Sequence, residues 1–145
     1  MSENIPDEDM ISRLLFEPSM RRSDDIVWEN VFQFPSKDGG CESVVWRKYA
    51  PEIVDVHAKG CEKQLADHNK GNTRSTYFGA FTGNVGSIRE LRSGSGISFT
   101  IEHVPEQGIF HAHIAFPPGS KKTDRGELKV MLKAQFGPVE SHTCA

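Results

Sequence analysis

The sequence predicts an α+β protein with a small mixed β-sheet, a C-terminal antiparallel hairpin and three or four helices packed against the sheet. Near the C-terminus, two stretches alternate apolar and polar residues, which is the period of half-buried strands. Other segments repeat apolar residues at intervals of three and four, as amphipathic helices do. The length of 145 residues is typical of one domain. We therefore expect a single α+β domain over residues 1–145, with short loose termini.

The hairpin is predicted in most detail, because its pairing follows from the loop and the alternation together. Residues 97–104 and 109–116 form its two strands, joined by the sequence Pro-Glu-Gln-Gly. Counting outward from this loop places apolar residues opposite apolar residues along one face. The same register puts Glu102 directly opposite His111 on the other face, with His113 on that side too. A slip of one residue would mix the two faces, so the agreement supports this register.

Weaker signals predict the remaining elements. Helices are expected over residues 6–15, 51–68, 85–91 and 123–136, and strands over residues 31–34 and 76–81. Residues 17–40 are rich in Pro, Ser, Asp and Gly and are predicted to be an ordered connection with aromatic anchors. Residues 41–49 form a short apolar run that fits either a strand or a helix. Strands 76–81 and 97–104 would form a right-handed crossover with the helix between them if they run parallel.

The longest predicted helix runs from Pro51 towards His68, with proline at its first position. Its apolar stripe is expected to face the core and consists of Val54, Ala58, Cys61 and Leu65. His57 and Cys61 are four residues apart and therefore neighbours on the helix, with His68 two turns further on. These three side chains could bind zinc. Alternatively, Cys61 is simply a buried thiol on the apolar stripe.

Charge and composition limit the partners of the protein. The net charge of −3 and the pI of about 6.1 provide no overall positive field for a phosphate backbone, so nucleic acid is not favoured. No run approaches the roughly 18 apolar residues of a membrane span, and the acidic start of the chain is unlike a signal peptide. The cysteines Cys41, Cys61 and Cys144 lack paired spacing and are expected to be reduced thiols. We therefore predict a cytoplasmic protein with no membrane partner.

His111 and His113 are the sharpest candidates for chemistry. They lie two residues apart on one strand and share its face, and Glu102 lies across from the first of them. Two imidazoles and a carboxylate suit one divalent ion such as zinc or manganese, which would activate water or polarise a phosphate. Glu102 would then be a ligand or a general base, and His103 a supplementary ligand. The alternative is a half-exposed strand face with an ordinary cross-strand pair of Glu and His.

The spacing of these histidines also resembles a known motif. His103 is followed eight residues later by His-Ala-His, which ends at His113. Over about a dozen residues this pattern resembles the histidine–hydrophobic–histidine metal motif of rolling-circle nucleases and plasmid relaxases. The resemblance implies a divalent ion that positions the scissile phosphate and a tyrosine that attacks it. The chain offers Tyr49 and Tyr77, neither of which stands near the N-terminus or after the motif.

A turn between a predicted strand and helix is a second candidate site. Residues 82–87 place backbone N–H groups at the start of a helix, where an anion could bind. Arg89 and Arg92 on the following helix would add positive charge to such an anion-binding site. The segment lacks the spacing of phosphate-binding loops, so a tight turn is the alternative interpretation.

Two functions of different classes follow from these observations. The favoured one is a small cytosolic module that binds another protein or itself as an accessory or regulatory component. It is favoured because the chain shows no convincing catalytic set, and because aromatic residues between Trp28 and Phe34 could form an interaction surface. The alternative is a metal-dependent hydrolase of phosphodiesterase or nuclease type that uses His111, His113 and Glu102. The sequence alone leaves open whether the protein is an enzyme.

Overall fold

The computed structural model describes residues 1–35 and 40–145 and contains eight strands and four helices. In chain order they are β1 (Met10–Glu17), β2 (Arg21–Arg22), β3 (Asp25–Ile26), α1 (Trp28–Val31), β4 (Cys41–Trp46), α2 (Ile53–Asn69), β5 (Thr76–Asn84), α3 (Val85–Arg89), β6 (Thr100–His103), β7 (His111–Ala115), α4 (Lys122–Leu132) and β8 (Glu140–Ser141). Short 3₁₀ turns cover Pro105–Gln107 and Lys133–Gln135. The part of the predicted 17–40 connection that falls on residues 36–39 lies outside the described residues.

Six strands form the main sheet in the order β6-β7-β4-β1-β5-β8, while β2 and β3 form a separate two-stranded ribbon. The α+β class is confirmed, and so is the antiparallel hairpin, which is made by β6 and β7. Every strand pairing within the described residues is antiparallel, so the parallel pair of a mixed sheet is not formed there. The four antiparallel pairings between β5 and β6 leave these two strands pointing in the same direction, as the predicted crossover through α3 requires, but three other strands separate them in the sheet.

The first prediction that the structure corrects is the N-terminal helix over residues 6–15. Residues 10–17 are instead the central strand β1, which pairs with β4 on one side and β5 on the other. Both faces of β1 are covered, since Ile11 and Leu15 are fully buried on one face and Ser12 is fully buried on the other. A strand covered on both faces carries apolar residues in both directions, so its pattern loses the period of two. Its apolar residues then match helical spacing by coincidence.

The larger core lies on the face of the sheet that α1, α3 and α4 cover. The predicted strand at residues 31–34 is wrong, because Val31 is the last residue of the short helix α1 and residues 32–34 form no strand. Its aromatic residues are core anchors rather than a surface, since Phe32 and Phe34 are buried and Trp28 stacks on Phe81 at 5.4 Å between ring centroids. Phe136, at the end of the α4 segment, completes the cluster at 4.9 Å from the Phe81 ring.

Helix α2 packs on the opposite face, where it begins with a capping box between Glu52 and Asp55. The helix itself is confirmed, but the predicted buried stripe is wrong, because Val54 and Leu65 are 66% and 62% exposed. The buried face is instead formed by Val56, His57 and Gly60.

Gly60 is the position at which α2 approaches the sheet most closely. A Cβ built there would lie under 3.0 Å from the ring of Tyr77, whereas a Cβ at Gly126 in α4 would meet nothing within 4 Å. Gly60→Ala is therefore expected to lower the free energy of unfolding by about 1–3 kcal/mol through overpacking, although alanine is the better helix former. Gly126→Ala, the matched control, is expected to raise it by about 0.5–1 kcal/mol. Urea denaturation of both variants measures the two free energies of unfolding. If both substitutions stabilised the protein equally, the close approach of α2 to the Tyr77 ring at Gly60 would be contradicted.

Both ends of the chain contact the sheet. At the N-terminus Ile5 is buried in the larger core, and the carboxylate of Glu3 hydrogen-bonds to Lys48 and Tyr49. At the C-terminus β8 pairs with β5, and Cys144 forms a disulfide with Cys61 of α2. The expectation of three reduced thiols is therefore corrected, because a sequence separation of 83 residues gives no local sign of this pairing.

Candidate functional site

The candidate site is the part of the sheet face beside α2 that the helix leaves uncovered, on β4, β7 and β6. His111 and His113 share this face as predicted, and their rings lie 5.2 Å apart between centroids in an edge-to-face arrangement. The strand register differs from the predicted one by two residues, because Glu102 pairs with His113 rather than with His111. The connection is longer than four residues, since the chain leaves β6 after His103 and enters β7 at His111. A shift of two residues keeps each side chain on its predicted face.

His103 lies on the other face of the sheet, in the larger core, and is only 5% exposed. Both of its ring nitrogens bind the backbone: Nδ1 accepts from the N–H of Glu3 at 3.0 Å, and Nε2 lies 2.7 Å from the carbonyl oxygen of Ile109. Its ring also packs against Trp46 with 5.0 Å between centroids. The predicted group of four site residues is therefore divided by the sheet, with His103 on one side and the other three on the opposite side.

His111 is held by a hydrogen bond between its Nε2 and Oγ of Ser43 on the neighbouring strand β4, at 3.0 Å. Burial lowers the pKa of His111 to about 4, and the charges of His113 and Lys63 act in the same direction. At neutral pH the side chain is therefore an uncharged imidazole. A neutral imidazole beside a hydroxyl can donate a hydrogen bond to a bound group or accept one from it, and it adds no charge to the site.

A groove of about 470 Å³ runs between this sheet face and α2. Its apolar lining comes from strands β1 and β4, the β6–β7 connection and α2, and consists of Leu14, Phe16, Val44, Val45, Phe110 and Ala66. Its polar lining includes Ser43 and His111. The other polar lining residues are Arg13, Lys59, Glu62, Lys63 and Gln107. The volume is in the range of ligand-binding clefts, and the apolar part of the lining supplies area that a ligand can bury. The predicted histidine face is thus one wall of a concave site.

Two lysines of α2 stand over the aromatic rings of the groove. The ammonium of Lys59 lies 4.5 Å from the ring centroid of Phe110, and that of Lys63 lies 5.9 Å from that of Phe16. Lys59 also lies 3.8 Å from the carboxylate of Glu62, but that side chain is 68% exposed, so the ion pair is weak. Lys63 in turn lies 3.4 Å from Asp67, with the lysine side chain 58% exposed. Three basic side chains (Arg13, Lys59 and Lys63) and one acidic side chain (Glu62) line the groove, so its lining is positive on balance, although the chain as a whole carries a net charge of −3.

The resemblance to relaxases implies one attacking tyrosine, and both tyrosines of the chain are engaged elsewhere. Tyr49 hydrogen-bonds to Glu3 and stacks on His103, on the face of the sheet opposite to His111. Tyr77 is 1% exposed, and its hydroxyl lies 2.7 Å from Nδ1 of His57. Burial raises the pKa of the Tyr77 hydroxyl well above its usual range, which disfavours a phenolate nucleophile.

The predicted anion site at residues 82–87 is filled by the chain itself. The N–H groups of Val85 and Gly86 donate to the carbonyl oxygens of Asp9 and Asp7, at 2.9 and 2.8 Å. Asn84 caps α3 by accepting from the N–H of Ser87 at 2.8 Å. The donors at the start of this helix are therefore satisfied by the N-terminal segment and the cap.

The guanidinium groups of Arg89 and Arg92 also have partners within the chain. Arg89 donates to the carbonyl oxygens of Ile5 and Ile101 and pairs with Asp7 at 2.8 Å. Arg92 donates to the carbonyl oxygens of Arg89 and Leu91. Arg89 thus fixes the N-terminal segment against β6, and the structure does not bring either arginine to the groove.

A cluster of residue types that bind metals occurs at a different place, where two of its three members are joined in the disulfide. Within residues 1–35 and 40–145, the one group of three candidate ligands whose donor atoms all lie within 4.8 Å of one another is Cys61, His142 and Cys144. His68 of the predicted helical cluster instead binds the carbonyl oxygen of Ser75 through Nε2, at 2.7 Å. Cys61 thus belongs to a ligand group with residues of the C-terminus and not with His57 and His68.

The comparisons with known proteins give no relative. No protein-family model, curated protein or solved structure matches the chain. Among the described residues, none of the helices has the length and apolar character that crossing a bilayer requires. The function is therefore argued from the geometry of the chain alone.

Sequence reasoning missed most of the groove. Lys59 and Lys63 are four residues apart on a correctly predicted helix, so their shared side was available from the sequence. Ser43 lay in a segment that could not be assigned to a strand or a helix. Phe110 was expected on the same face as Ile114, but it precedes β7 and packs in the smaller core beside α2. No local signal indicates this change of face.

Proposed function

We propose that the protein is a non-catalytic binding module and that the groove between α2 and strands β1, β4 and β7 takes an acidic segment of a partner protein. The observation that carries this proposal is an apolar floor beneath a basic rim, formed by Lys59 and Lys63, on a chain of net negative charge. An apolar side chain of the partner would fill the groove, and its carboxylates would meet the two lysines. Ser43 and His111 would bind polar atoms between them.

Charge complementarity favours a foreign segment over a second copy of this chain. The chain carries 20 acidic and 17 basic residues, so two copies repel each other at long range. The groove is nevertheless locally basic, which steers an acidic partner towards it and orients the complex. The binding energy itself would come from burying the aromatic and aliphatic lining. We propose this groove as the surface for the accessory or regulatory role expected from the sequence.

The second candidate, a metal-dependent hydrolase, rests on His111 and His113 lying side by side near Glu102. Glu102 is exposed and stands opposite His113, and Nε2 of His111 is bonded to Ser43. A metal ion would have to displace this hydroxyl to use that nitrogen. Stoichiometric zinc or manganese in the disulfide-bonded protein, lost in a His111→Ala/His113→Ala variant, would favour the hydrolase over the binding module.

The binding module is tested with a short peptide of alternating glutamate and leucine, titrated into ¹⁵N-labelled protein. We expect shift changes at the groove residues and weaker binding, by about tenfold or more, in a Lys59→Glu/Lys63→Glu variant. Lys70→Glu/Lys133→Glu is the matched control, because it changes the net charge equally at two exposed positions outside the groove. The groove does not select an acidic segment if both double variants weaken binding of the glutamate–leucine peptide equally. The same conclusion follows if a lysine–leucine peptide binds the parent protein as tightly as the glutamate–leucine peptide does.

The predicted cytoplasmic location remains part of this proposal. In a reducing compartment Cys61 and Cys144 would be thiols rather than a disulfide. Neither residue lines the groove, so binding of the acidic peptide is expected to be the same in the oxidised and reduced protein as long as the fold persists.

A further inference from the structure

The C-terminal segment ends in a group of side chains with the chemistry of a metal centre. Cys61 on α2 and Cys144 near the end of the chain are bonded to each other, and His142 lies close enough for its ring nitrogen to be within 4.8 Å of both sulfurs. All three side chains are half-buried. No residue of this group lines the groove, so the inference is independent of the proposed function.

Several contacts fix the positions of these ligands. Strand β8 pairs with β5 through Gly79 and Ala80, and the N–H of His142 donates to the carbonyl oxygen of Phe78 at 3.0 Å. Gly79 has φ +153°, and a Cβ there would lie 2.5 Å from the carbonyl oxygen of Glu140, so β8 can approach only at a glycine. The chain end is therefore held against α2 by the sheet as well as by the covalent bond.

His142 is oriented by its neighbours. Its ring stacks on that of His57, with 4.4 Å between centroids and an interplanar angle of 12°. His57 is in turn fixed by the hydrogen bond of its Nδ1 to the Tyr77 hydroxyl. The stacking against a fixed ring limits the orientations that the imidazole of His142 can take.

We propose that Cys61, Cys144 and His142 form a zinc site that replaces the disulfide when the protein is reduced. A dithiol reductant supplies two electrons and two protons: the bond between the two sulfurs breaks, two thiols form, and the reductant leaves as its own cyclic disulfide. Zn²⁺ then displaces the two thiol protons to solvent and binds both thiolates and the imidazole of His142. Two sulfurs and one nitrogen are a known zinc ligand set, and the fourth tetrahedral position stays open to water or a partner side chain.

The site holds the C-terminal segment in both redox states. In the oxidised protein the covalent bond ties β8 to α2, and in the reduced protein the metal ion makes the same link. In the reduced, metal-free protein the link to α2 is lost, and the short pairing of β8 with β5 is what still holds the C-terminal segment. Release of this segment would therefore require reduction and the absence of zinc at the same time.

The experiment measures zinc binding to protein reduced with dithiothreitol and then freed of it under nitrogen. We expect one equivalent of Zn²⁺ per reduced chain and none in the oxidised chain, with Co²⁺ giving thiolate charge-transfer absorption only after reduction. His142→Ala is expected to bind zinc at least about tenfold more weakly. Cys41→Ser and His111→Ala, which leave this group intact, are expected to bind like the parent.

Hydrogen exchange supplies a second readout of the same site. The N–H of His142 is expected to be protected in the oxidised and zinc-bound forms and to exchange at least about tenfold faster in the reduced, metal-free form. The proposal is overturned if the reduced chain takes up no zinc, or if a Cys61→Ser/Cys144→Ser variant, shown by circular dichroism to be folded, binds zinc as tightly as the parent.

Discussion

Replacing Glu42 by leucine is expected to lower the free energy of unfolding by about 3–5 kcal/mol, the largest effect of any single side chain considered in this protein. Glu42 lies in the larger core at 7% exposure and accepts hydrogen bonds from the backbone N–H groups of Gln33 and Phe34. It also forms an ion pair with Arg13 at 3.4 Å. The leucine variant would leave two buried N–H groups and one buried guanidinium without this carboxylate. Urea denaturation measures the loss.

Arg13 shows why the loss is large. Its guanidinium donates to the carbonyl oxygens of Val31 and Ser43, so it ties the α1 segment and β4 to the central strand. Burial lowers the pKa of Arg13, and the charge of Glu42 opposes this effect. The carboxylate therefore keeps a buried cation stable. Arg13→Met combined with Glu42→Leu is expected to cost less than the sum of the two single variants, because it removes both charges together.

The matched control for this prediction is the surface pair of Glu17 and Arg21. Its atoms are closer, at 2.8 Å against 3.4 Å, but the side chains are 37% and 29% exposed against 9% and 12% for Glu42 and Arg13. Glu17→Leu is expected to change the stability by less than about 1 kcal/mol. A loss of similar size in both variants would mean that burial does not determine the effect and would contradict the prediction.

Reduction of the disulfide is expected to produce the second large effect. The bond joins residues 83 positions apart, and an unfolded chain closed over such a loop loses entropy worth about 4.5 kcal/mol at 25 °C. Measured costs of removing native disulfides are usually about 2–5 kcal/mol, so we expect a loss in this range. Urea denaturation with and without dithiothreitol, both in the presence of a chelator, measures it without interference from bound zinc.

A cysteine variant separates this effect from other actions of the reductant. The folded Cys61→Ser/Cys144→Ser variant is expected to have the reduced stability already and to be insensitive to dithiothreitol. Cys41→Ser is expected to retain the full response, because it does not remove either bonded sulfur. An equal response of both variants would contradict the assignment of the stability to this bond.

The sequence predicted elements best where one face of an element is buried and the other is wet. Helices α2 and α3 and the β6–β7 hairpin were found close to the expected positions, although β6 covers Thr100–His103 rather than residues 97–104. Strand β5 is buried along most of its length and was predicted from its composition instead. The hairpin faces were also right: Ile101 and Ile114 are buried, while His113 and Glu102 are on the other side. Alternation fixes the face of a side chain, but the exact partner depends on the length of the connection, which the 3₁₀ turn extends.

The elements that were missed are those whose environment comes from distant parts of the chain. Strand β1 was taken for a helix because it is covered on both faces. The stripe from Val54 to Leu65 was expected to be buried, but the close approach at Gly60 turns the other face of α2 towards the sheet. The tertiary packing therefore overrides the local period in both cases.

What the sequence determined by itself is the α+β class and the shared face of His111 and His113, because both follow from residue periods that are properties of a single segment. The alternation of the hairpin also turned His103 towards the core face, where the structure has it. The tertiary structure alone decided that Lys59 and Lys63 border a groove and that Cys61 meets Cys144. These are contacts between segments far apart in the chain. Their geometry depends on how the strands are ordered in the sheet, and residue periodicity carries no information about that order.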